Sequence, residues 1–425
     1  MRLTIHRGTK EIGGSCIELK TVQTRLFLDV GLPLVDRDGH RLDNRKSGML
    51  DLEQLKAQRI APEIENLYSD APHFPDGILL SHSHLDHYGL LAHIHKSTPV
   101  YCSKGTKKII EIAHFFGQSG FDPESVHTAE PWKAFQIGDF TVTPYLADHS
   151  AVDAFSYLIE AQGKRLFYTG DLRAHGRKAV LFDALLKKPP ADIDYLIIEG
   201  STFGRDTSGL TNEVDIEEML VNYFSENGLY LISFSSQNID RFVSVFRACL
   251  RTGRTLVVDP YTADVLDTLR ELSGNLPQFD WENGFKIFFV PNTYTEKMAK
   301  SKSLFKYASA KISFDQIVKN KNTLALKDNY LLSRILKNKE LLVGAKLIYS
   351  LWEGYLDEDN FWQQNSVPVI HVHCSGHAYR DDLARLVKAI NPKKVIPNHT
   401  FYPQEFRNLF GEKVMLLEDG KSENL

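Results

Sequence analysis

Cysteine is scarce. Four thiols (Cys16, Cys102, Cys249, Cys374) are scattered through 425 residues without a C-x-x-C pair. This excludes a disulfide framework and a cysteine-based zinc ribbon, and with no charged, apolar, small-residue leader at the start it predicts reduced thiols in a cytoplasm. No apolar run approaches the roughly 18 residues needed to cross a bilayer, so no membrane span is expected. An excess of one charge is missing too: 50 Lys and Arg stand against 54 Asp and Glu, a formal net charge of −4. There is thus no global field to gather nucleic acid, and affinity for an anionic polymer must come from local basic patches. Repeats and low-complexity linkers are absent. What remains is ordinary for a globular chain, 43% hydrophobic and 24% charged, long enough for two domains or one large domain with an insertion.

The informative stretch is Leu79-Leu80-Ser81-His82-Ser83-His84-Leu85-Asp86-His87-Tyr88-Gly89. Three histidines and an aspartate follow directly on the apolar run Gly77-Ile78-Leu79-Leu80, which reads as the end of a buried strand. A solvated loop has no need of His-x-His-x-Asp-His, and the residue types are those of a metal site. His82 and His84, two apart on extended backbone, point the same way. Asp86 and His87 follow as the chain turns into a helix, so the two pairs can serve two different ions. His93 and His95 fall on different faces of the apparent helix Leu90–His95 and read as surface residues.

Around this motif the chain alternates strands and helices. Leu3–Gly8 and Cys16–Leu19 read as a hairpin about Gly13-Gly14, Arg25–Gly31 as a buried strand, and residues 35–75 as a polar insertion with one amphipathic piece at Leu52 and Leu55. Val100–Cys102 reads as a strand and Gly105–Phe116 as a helix, the alternation of a layered α/β fold. Strands then run into Ala147-Asp148-His149-Ser150, into Gly170-Asp171-Leu172, and into Glu199-Gly200-Ser201-Thr202-Phe203-Gly204. Further on come Ser375-Gly376-His377 and Pro397-Asn398-His399, the two histidines separated by 22 positions.

His82-x-His84-x-Asp86-His87 resembles the signature of the metallo-β-lactamase superfamily, and Glu199-Gly-Ser-Thr-Phe-Gly, His377 and His399 resemble motifs A, B and C of its β-CASP nuclease branch. The resemblance covers nearly the whole chain and is strongest to the ribonuclease J group and related RNA-processing nucleases. It implies an α/β fold, a metallo-β-lactamase αββα sandwich with an inserted β-CASP α/β lid domain: residues 1–204 and 369–425 for the sandwich, 205–368 for the lid. It implies two zinc ions, with manganese as the alternative for a His/Asp shell. The ligands it implies are His82, His84, Asp86, His87, His149, Asp171 and His399; His149 completes the first shell and Asp171 bridges the ions. Asp29, an acid at a strand end, would brace the metal loop. Ribonuclease J carries a further C-terminal domain, whereas 26 residues follow His399 here, which leaves oligomeric state open, a homodimer included.

Within 205–368, strands at 229–234, 254–258 and 285–290 alternate with helices at 238–250 and 263–272, predicting a parallel sheet. Ser236, Asn238 and Arg241 resemble the Ser-Asn-x-x-Arg neighbourhood that, with Ser375, Gly376 and His377, holds a terminal phosphate in the ribonuclease J group. Gln237 is inserted in that pattern, and a Ser/Asn helix cap is the plainer reading. From Lys297 to Lys339, 11 basic residues meet two acids, with Phe305, Tyr307, Phe314 and Tyr330 interleaved. That run is either a solvated helical face or a track for a phosphate backbone. His371 and His373 alternate on a strand and read as structural or wall-lining. Val414–Leu417 reads as the final strand.

Two ions lower the pKa of a bridging water to give hydroxide and neutralise phosphoryl charge. Asp86 holds metal at the reacting centre, while His377, oriented by Glu199, stabilises developing charge or protonates the leaving oxygen. The expected activity is metal-dependent hydrolysis of single-stranded RNA, 5′-to-3′ from an end with endonucleolytic entry. The competing readings are a β-CASP single-stranded DNA nuclease, a non-catalytic RNA-binding subunit, and a small-ester or thiolester hydrolase.

Overall fold

A computed structural model describes residues 1–35, 41–42, 47, 50–69, 73–205, 211–290, 292–300, 303–329, 332, 339–356 and 360–425. The chain forms two compact units, Met1–Ser208 with Gly376–Leu425, and Gly209–Ser375.

In the first unit, β1 (Arg2–Arg7), β2 (Cys16–Lys20), β3 (Arg25–Val30), β4 (Gly77–Leu79), β5 (Val100–Cys102) and β6 (Val126–Thr128) lie side by side, with β20 (Ser422–Asn424) outside β1. The expected hairpin is present, pairing Arg2 with Lys20 and Ile5 with Ile17. A second sheet runs β19 (Lys394–Asn398), β11 (Tyr195–Glu199), β10 (Lys164–Tyr168), β9 (Phe155–Ala161), β8 (Phe140–Leu146), β7 (Phe135–Ile137). Strand periodicity explains how they stack. Along β3, Leu26 and Leu28 join Phe140, Tyr157, Ile159 and Ile197 of the other sheet, while Phe27 turns the opposite way to meet Leu55, Ile78 and Ile110, and Val30 joins it because left-handed Asp29 breaks the alternation. Beyond the second sheet, Leu158, Leu196 and Val395 pack with Phe182, Leu383, Leu386 and Phe406 from helices. The result is helix, sheet, sheet, helix: the αββα sandwich. Burial of each such Leu or Phe side chain contributes about 1.5–3 kcal/mol before entropy is counted.

In the second unit, a parallel sheet is ordered β15 (Lys311–Ile312), β14 (Lys286–Phe288), β13 (Thr255–Val258), β16 (Leu324–Lys327), β12 (Tyr230–Ser233), β17 (Lys346–Tyr349), β18 (Val369–His371). Leu231, Val257, Leu326 and Leu347 share a core with Trp362. All of β12 is buried, as a strand covered on both faces requires.

Several sequence expectations shift. Residues 369–371, assigned above to the closing part of the sandwich, are the edge strand β18 of the second unit. Val414–Leu417 is not a strand: Val414 makes an isolated bridge to Val395, and the last strand is Ser422–Asn424, whose exposed residues carry no apolar signal. Residues 90–95 form only a short 3₁₀ turn at Leu91–His93. In the insertion, Leu52–Ala57 is helical behind an Asp51/Gln54 capping box, and the rest lies partly outside the described residues. Within the basic run, Tyr307 is buried and donates to Asp264, Phe314 packs on the core, and Lys306 pairs with Asp264 and Asp267. Lys306 is therefore neutralised and Tyr307 and Phe314 are structural, while Phe305 is exposed; Tyr330 lies outside the described residues.

Candidate metal centre

Five of the seven candidate ligands follow the carboxyl end of a strand, where the chain leaves a buried sheet and must turn, while Asp86 and His87 lie on the short helix Leu85–Tyr88. His82 and His84 follow β4, His149 follows β8, Asp171 follows β10 and His399 follows β19. Gly31, past β3, admits the ligand loop: a Cβ there would lie 1.7 Å from the Asp86 carbonyl oxygen. Backbone bonds then lock the contact, Leu32 N to Leu85 O and Ser15 N to Asp86 O.

Asp29 at the end of β3 is fully buried in left-handed backbone (φ 55°). Its Oδ1 accepts from Ser81 N (2.7 Å), and its Oδ2 accepts from Ser81 Oγ and Tyr168 OH (both 2.7 Å) and faces His87 Nδ1 at 2.8 Å. The bracing place is thus filled, and His87 Nε2 is left aimed at Asp171.

Three groups of convergent ligand atoms result, each within 4.8 Å of one another: His82, His84 and His149; Asp86, His87, Asp171 and His399; and Asp171, Glu199, His377 and His399. In the first, His84 Nδ1 lies 3.1 Å from His82 Nε2 and 3.3 Å from His149 Nε2. Burial, reinforced by neighbouring imidazoles, holds His82 and His149 well below the usual range, and His84 at about 4. Burial thus favours the neutral form of these rings, whose nitrogens converge. In the second, His87 Nε2 is 3.0 Å from Asp171 Oδ2, and His399 Nε2 is 3.3 Å from Asp86 Oδ2. Burial raises the Asp86 carboxyl, but His87 and His399 outweigh it and bring it to about 2. Burial lowers His87, and the three carboxylates Asp171, Asp29 and Asp86 more than reverse this.

Asp171 joins the groups, its Oδ2 lying 3.8 Å from His82 Nε2 and 3.7 Å from His377 Nδ1. Its Oδ1 is buried without a hydrogen-bond partner. A buried carboxylate oxygen without a hydrogen bond, set among converging imidazole nitrogens, fits a cation that would add to what His399, His87 and His377 already do to offset its desolvation. The residues present therefore suit a His/Asp metal shell.

Glu199, at the end of β11, accepts from Ser201 N (3.1 Å), Leu172 N (3.3 Å) and Ala378 N (3.4 Å), and its carboxylate lies 3.3 Å from His377 Nδ1. Burial lowers His377, but Glu199 and Asp171 outweigh it and its pKa is raised. His377 is the more open of the group, its side chain 22% exposed.

Residues 50–220 match the beta-lactamase superfamily domain, and residues 367–414 match the Zn-dependent metallo-hydrolase RNA specificity domain. Between them these segments hold all the residues of the three groups. The chain belongs to the metallo-β-lactamase β-CASP nuclease family. It is 25% identical to the RNase J-like protein of Methanocaldococcus jannaschii over 93% of this chain and 92% of that one. It is 21% identical to Ribonuclease J of Helicobacter pylori, covering 99% of this chain and 60% of that one. A crystal structure of a protein of unknown function from Enterococcus faecalis has the same fold, with a TM-score of 0.80 at 23% identity over 100% of this chain and 99% of that one.

The β-CASP unit, Gly209–Ser375, places the remaining candidates. Ser236 Oγ lies 2.8 Å from Thr262 Oγ1, and Asn238 caps the helix Ile239–Arg251, its Oδ1 accepting from Arg241 N at 3.0 Å. Arg241 is fully buried. Its Nε and Nη2 donate to the two carboxylate oxygens of Glu213 (both 3.1 Å), Nη2 also to Cys374 Sγ (3.2 Å), and Nη1 to Ser350 O (3.0 Å) and Ser350 Oγ. Every guanidinium nitrogen thus has a partner inside the unit. Ser375 and Gly376 lie on the irregular segment between β18 and the helix Arg380–Ile390. His371 bonds Leu351 O at 2.9 Å, and the half-buried His373 lies 3.5 Å from Arg241 Nη1.

Sequence reasoning passed over several supporting residues. Ser201 Oγ meets His399 Nδ1 at 2.8 Å, Gly13 N donates to His399 Nε2 at 2.9 Å, and buried Arg173 pairs with buried Asp148 at 3.4 Å. The last pair was in reach: opposite charges stand one residue before His149 and two after Asp171.

Proposed function

We propose that this protein is a metal-dependent ribonuclease that hydrolyses single-stranded RNA from its 5′ end, with endonucleolytic entry. The orphaned Asp171 oxygen between two sets of convergent ligands carries the reading. His82, His84 and His149 would hold one ion, Asp86, His87 and His399 a second, with Asp171 shared; zinc suits the imidazoles, and manganese the carboxylate-rich half. Bound there, the ions supply Lewis acidity toward the phosphoryl group and ease the ionisation of water. His377, whose pKa Glu199 and Asp171 raise against the effect of burial, would serve the reacting phosphate as a hydrogen-bond donor and the leaving oxygen as general acid. Asp29 Oδ2 accepts from His87 Nδ1–H and so fixes the tautomer that would leave Nε2 for the cation.

Recognition of a terminal phosphate is assigned to Ser236, Asn238 and the run Ser375-Gly376, with Arg241 holding this polar segment rather than reaching the ligand. The names of the relatives, ribonuclease J above all, support RNA over DNA as the substrate. A reducing, cytoplasmic setting accords with four buried cysteines that form no disulfide. No helix among the described residues is long and apolar enough to cross a membrane.

The test is the purified protein with end-labelled RNA carrying a 5′-monophosphate or a 5′-hydroxyl, with circular RNA and with matched DNA, each with zinc or manganese. Mononucleotides released fastest from the 5′-monophosphate are expected. Equal rates on all three RNAs with internal fragments would make the enzyme an endonuclease, and faster cleavage of DNA would overturn the substrate assignment.

A further inference from the structure

Two aromatic side chains stand where a polar loop would serve as well. Phe401 and Tyr402 are 45% and 46% exposed and follow His399 directly. Single exposed apolar residues need no explanation, but a pair beside a candidate ligand does. The pair is placed by the backbone. His399, the residue after β19, is in left-handed conformation (φ 55°), unusual for a residue with a Cβ, and this kink turns the chain out of the sheet while Thr400 stays buried.

The loop is held firmly from below. Phe406 is fully buried and stacks on buried Phe203, with centroids 4.3 Å apart and planes at 20°. Tyr402 N bonds Thr400 Oγ1 at 3.1 Å. The Tyr402 ring lies against Gly204, where a Cβ would come within 2.3 Å of it. Gly204 (φ 72°) closes the same loop that supplies Glu199 and Ser201. The Tyr402 ring is thereby fixed on a rigid support, and both it and the adjacent Phe401 keep much of their surface open. The Cα of Phe401 is at most about 7.6 Å from that of His399, two peptide units away.

We propose that Phe401 and Tyr402 form a base-stacking platform that seats an unpaired base of the substrate strand beside the metal centre. The assignment rests on the ribonuclease reading above and extends it to the base, through faces that every base can meet. Tyr402 also fixes the Gly204 turn, so Phe401 is the residue whose removal isolates stacking.

The experiment uses the full chain and a phosphorothioate-linked single-stranded RNA 12-mer bearing 2-aminopurine, whose fluorescence falls on stacking. Wild type is expected to quench the probe. Phe401→Ala should weaken binding at least about 5-fold and lose the quench, while Phe401→Trp restores both. Circular dichroism and metal content of each variant establish that fold and centre are intact. Unchanged affinity and quench in Phe401→Ala overturn the platform, as does a change confined to self-association in sedimentation, which would make the patch a protein contact. Failure of the underlying reading looks different: wild type itself then leaves ordinary RNA uncut, and the platform falls with it.

Discussion

Two buried charge clusters, one in each unit, contrast. In the β-CASP unit, Arg241 and Glu213 are sealed together, fork against carboxylate, and the remaining guanidinium donors end on Ser350 and Cys374. In the sandwich, Asp86, His87, Asp171 and His399 are packed as tightly, yet Asp171 Oδ1 has no partner and the imidazoles of His82, His84 and His149 face one another. A closed pair answers its own desolvation and holds a scaffold. An open cluster leaves bonding capacity over and requires a ligand from outside. By that distinction charge count is a poor guide to function, and unspent valence is a better one.

Removing what fills the open cluster should produce the largest effect. Chelation, or Asp86→Ala, is expected to cut RNA hydrolysis roughly a thousandfold or more, since several kcal/mol of charge stabilisation disappear. The far-ultraviolet circular dichroism should hardly change, because the two sheets pack without the site. Metal content by mass spectrometry beside the cleavage rate checks this. Full activity in an Asp86→Ala protein shown to be metal-free would end the metal mechanism.

Opening the closed pair should instead damage stability. Arg241→Ala strands Glu213 in a buried position and is expected to cost about 3–5 kcal/mol, whereas Arg241→Met with Glu213→Leu, which removes both charges, should recover most of it. Urea denaturation of the three proteins decides. If Arg241→Ala melts like wild type and only raises KM for 5′-phosphorylated RNA, Arg241 is a phosphate clamp after all, and the contrast between the units is wrong.

What was readable in the sequence follows the same division. His82-x-His84-x-Asp86-His87 is legible because four ligands lie within six positions of one strand end, so local spacing reports the site. His149, Asp171 and His399 are each a lone ligand within three residues of a strand end, meaningful only once their order is compared with a family. Arg241 was read as a phosphate contact because Ser-x-Asn-x-x-Arg is equally a helix cap followed by an inward arginine. The deciding partner, Glu213, lies 28 residues earlier and advertises nothing. Parallel strands such as β12 and β13 were readable as apolar runs between helices. The strand Ser422–Asn424 was not, because an exposed edge strand is held by backbone bonds to β1, which any sequence can make. Likewise Val414–Leu417 was misread because a buried apolar run need not be a strand.

A third cluster lies between the two extremes and should give the smallest effect. Glu18 on β2 meets His6 Nε2 at 2.7 Å and Arg25 Nε at 2.7 Å, near the surface but mostly covered. Burial raises its carboxyl, yet the bonds to His6 and Arg25 outweigh burial and bring it to about 2. A depressed carboxyl binds protons less readily in the folded protein than in the unfolded chain. Its contribution is therefore fully present above its ordinary value near 4.5 and is lost as the pH falls through about 2. The shift corresponds to roughly 3 kcal/mol. Glu18→Gln should be less stable than wild type by about that amount at pH 7, and the two stability curves should converge as the pH is lowered toward 2. Urea titrations along that range measure the gap directly. A gap independent of pH would mean that Glu18 acts through shape and neutral hydrogen bonds, placing it with the scaffold rather than between scaffold and site.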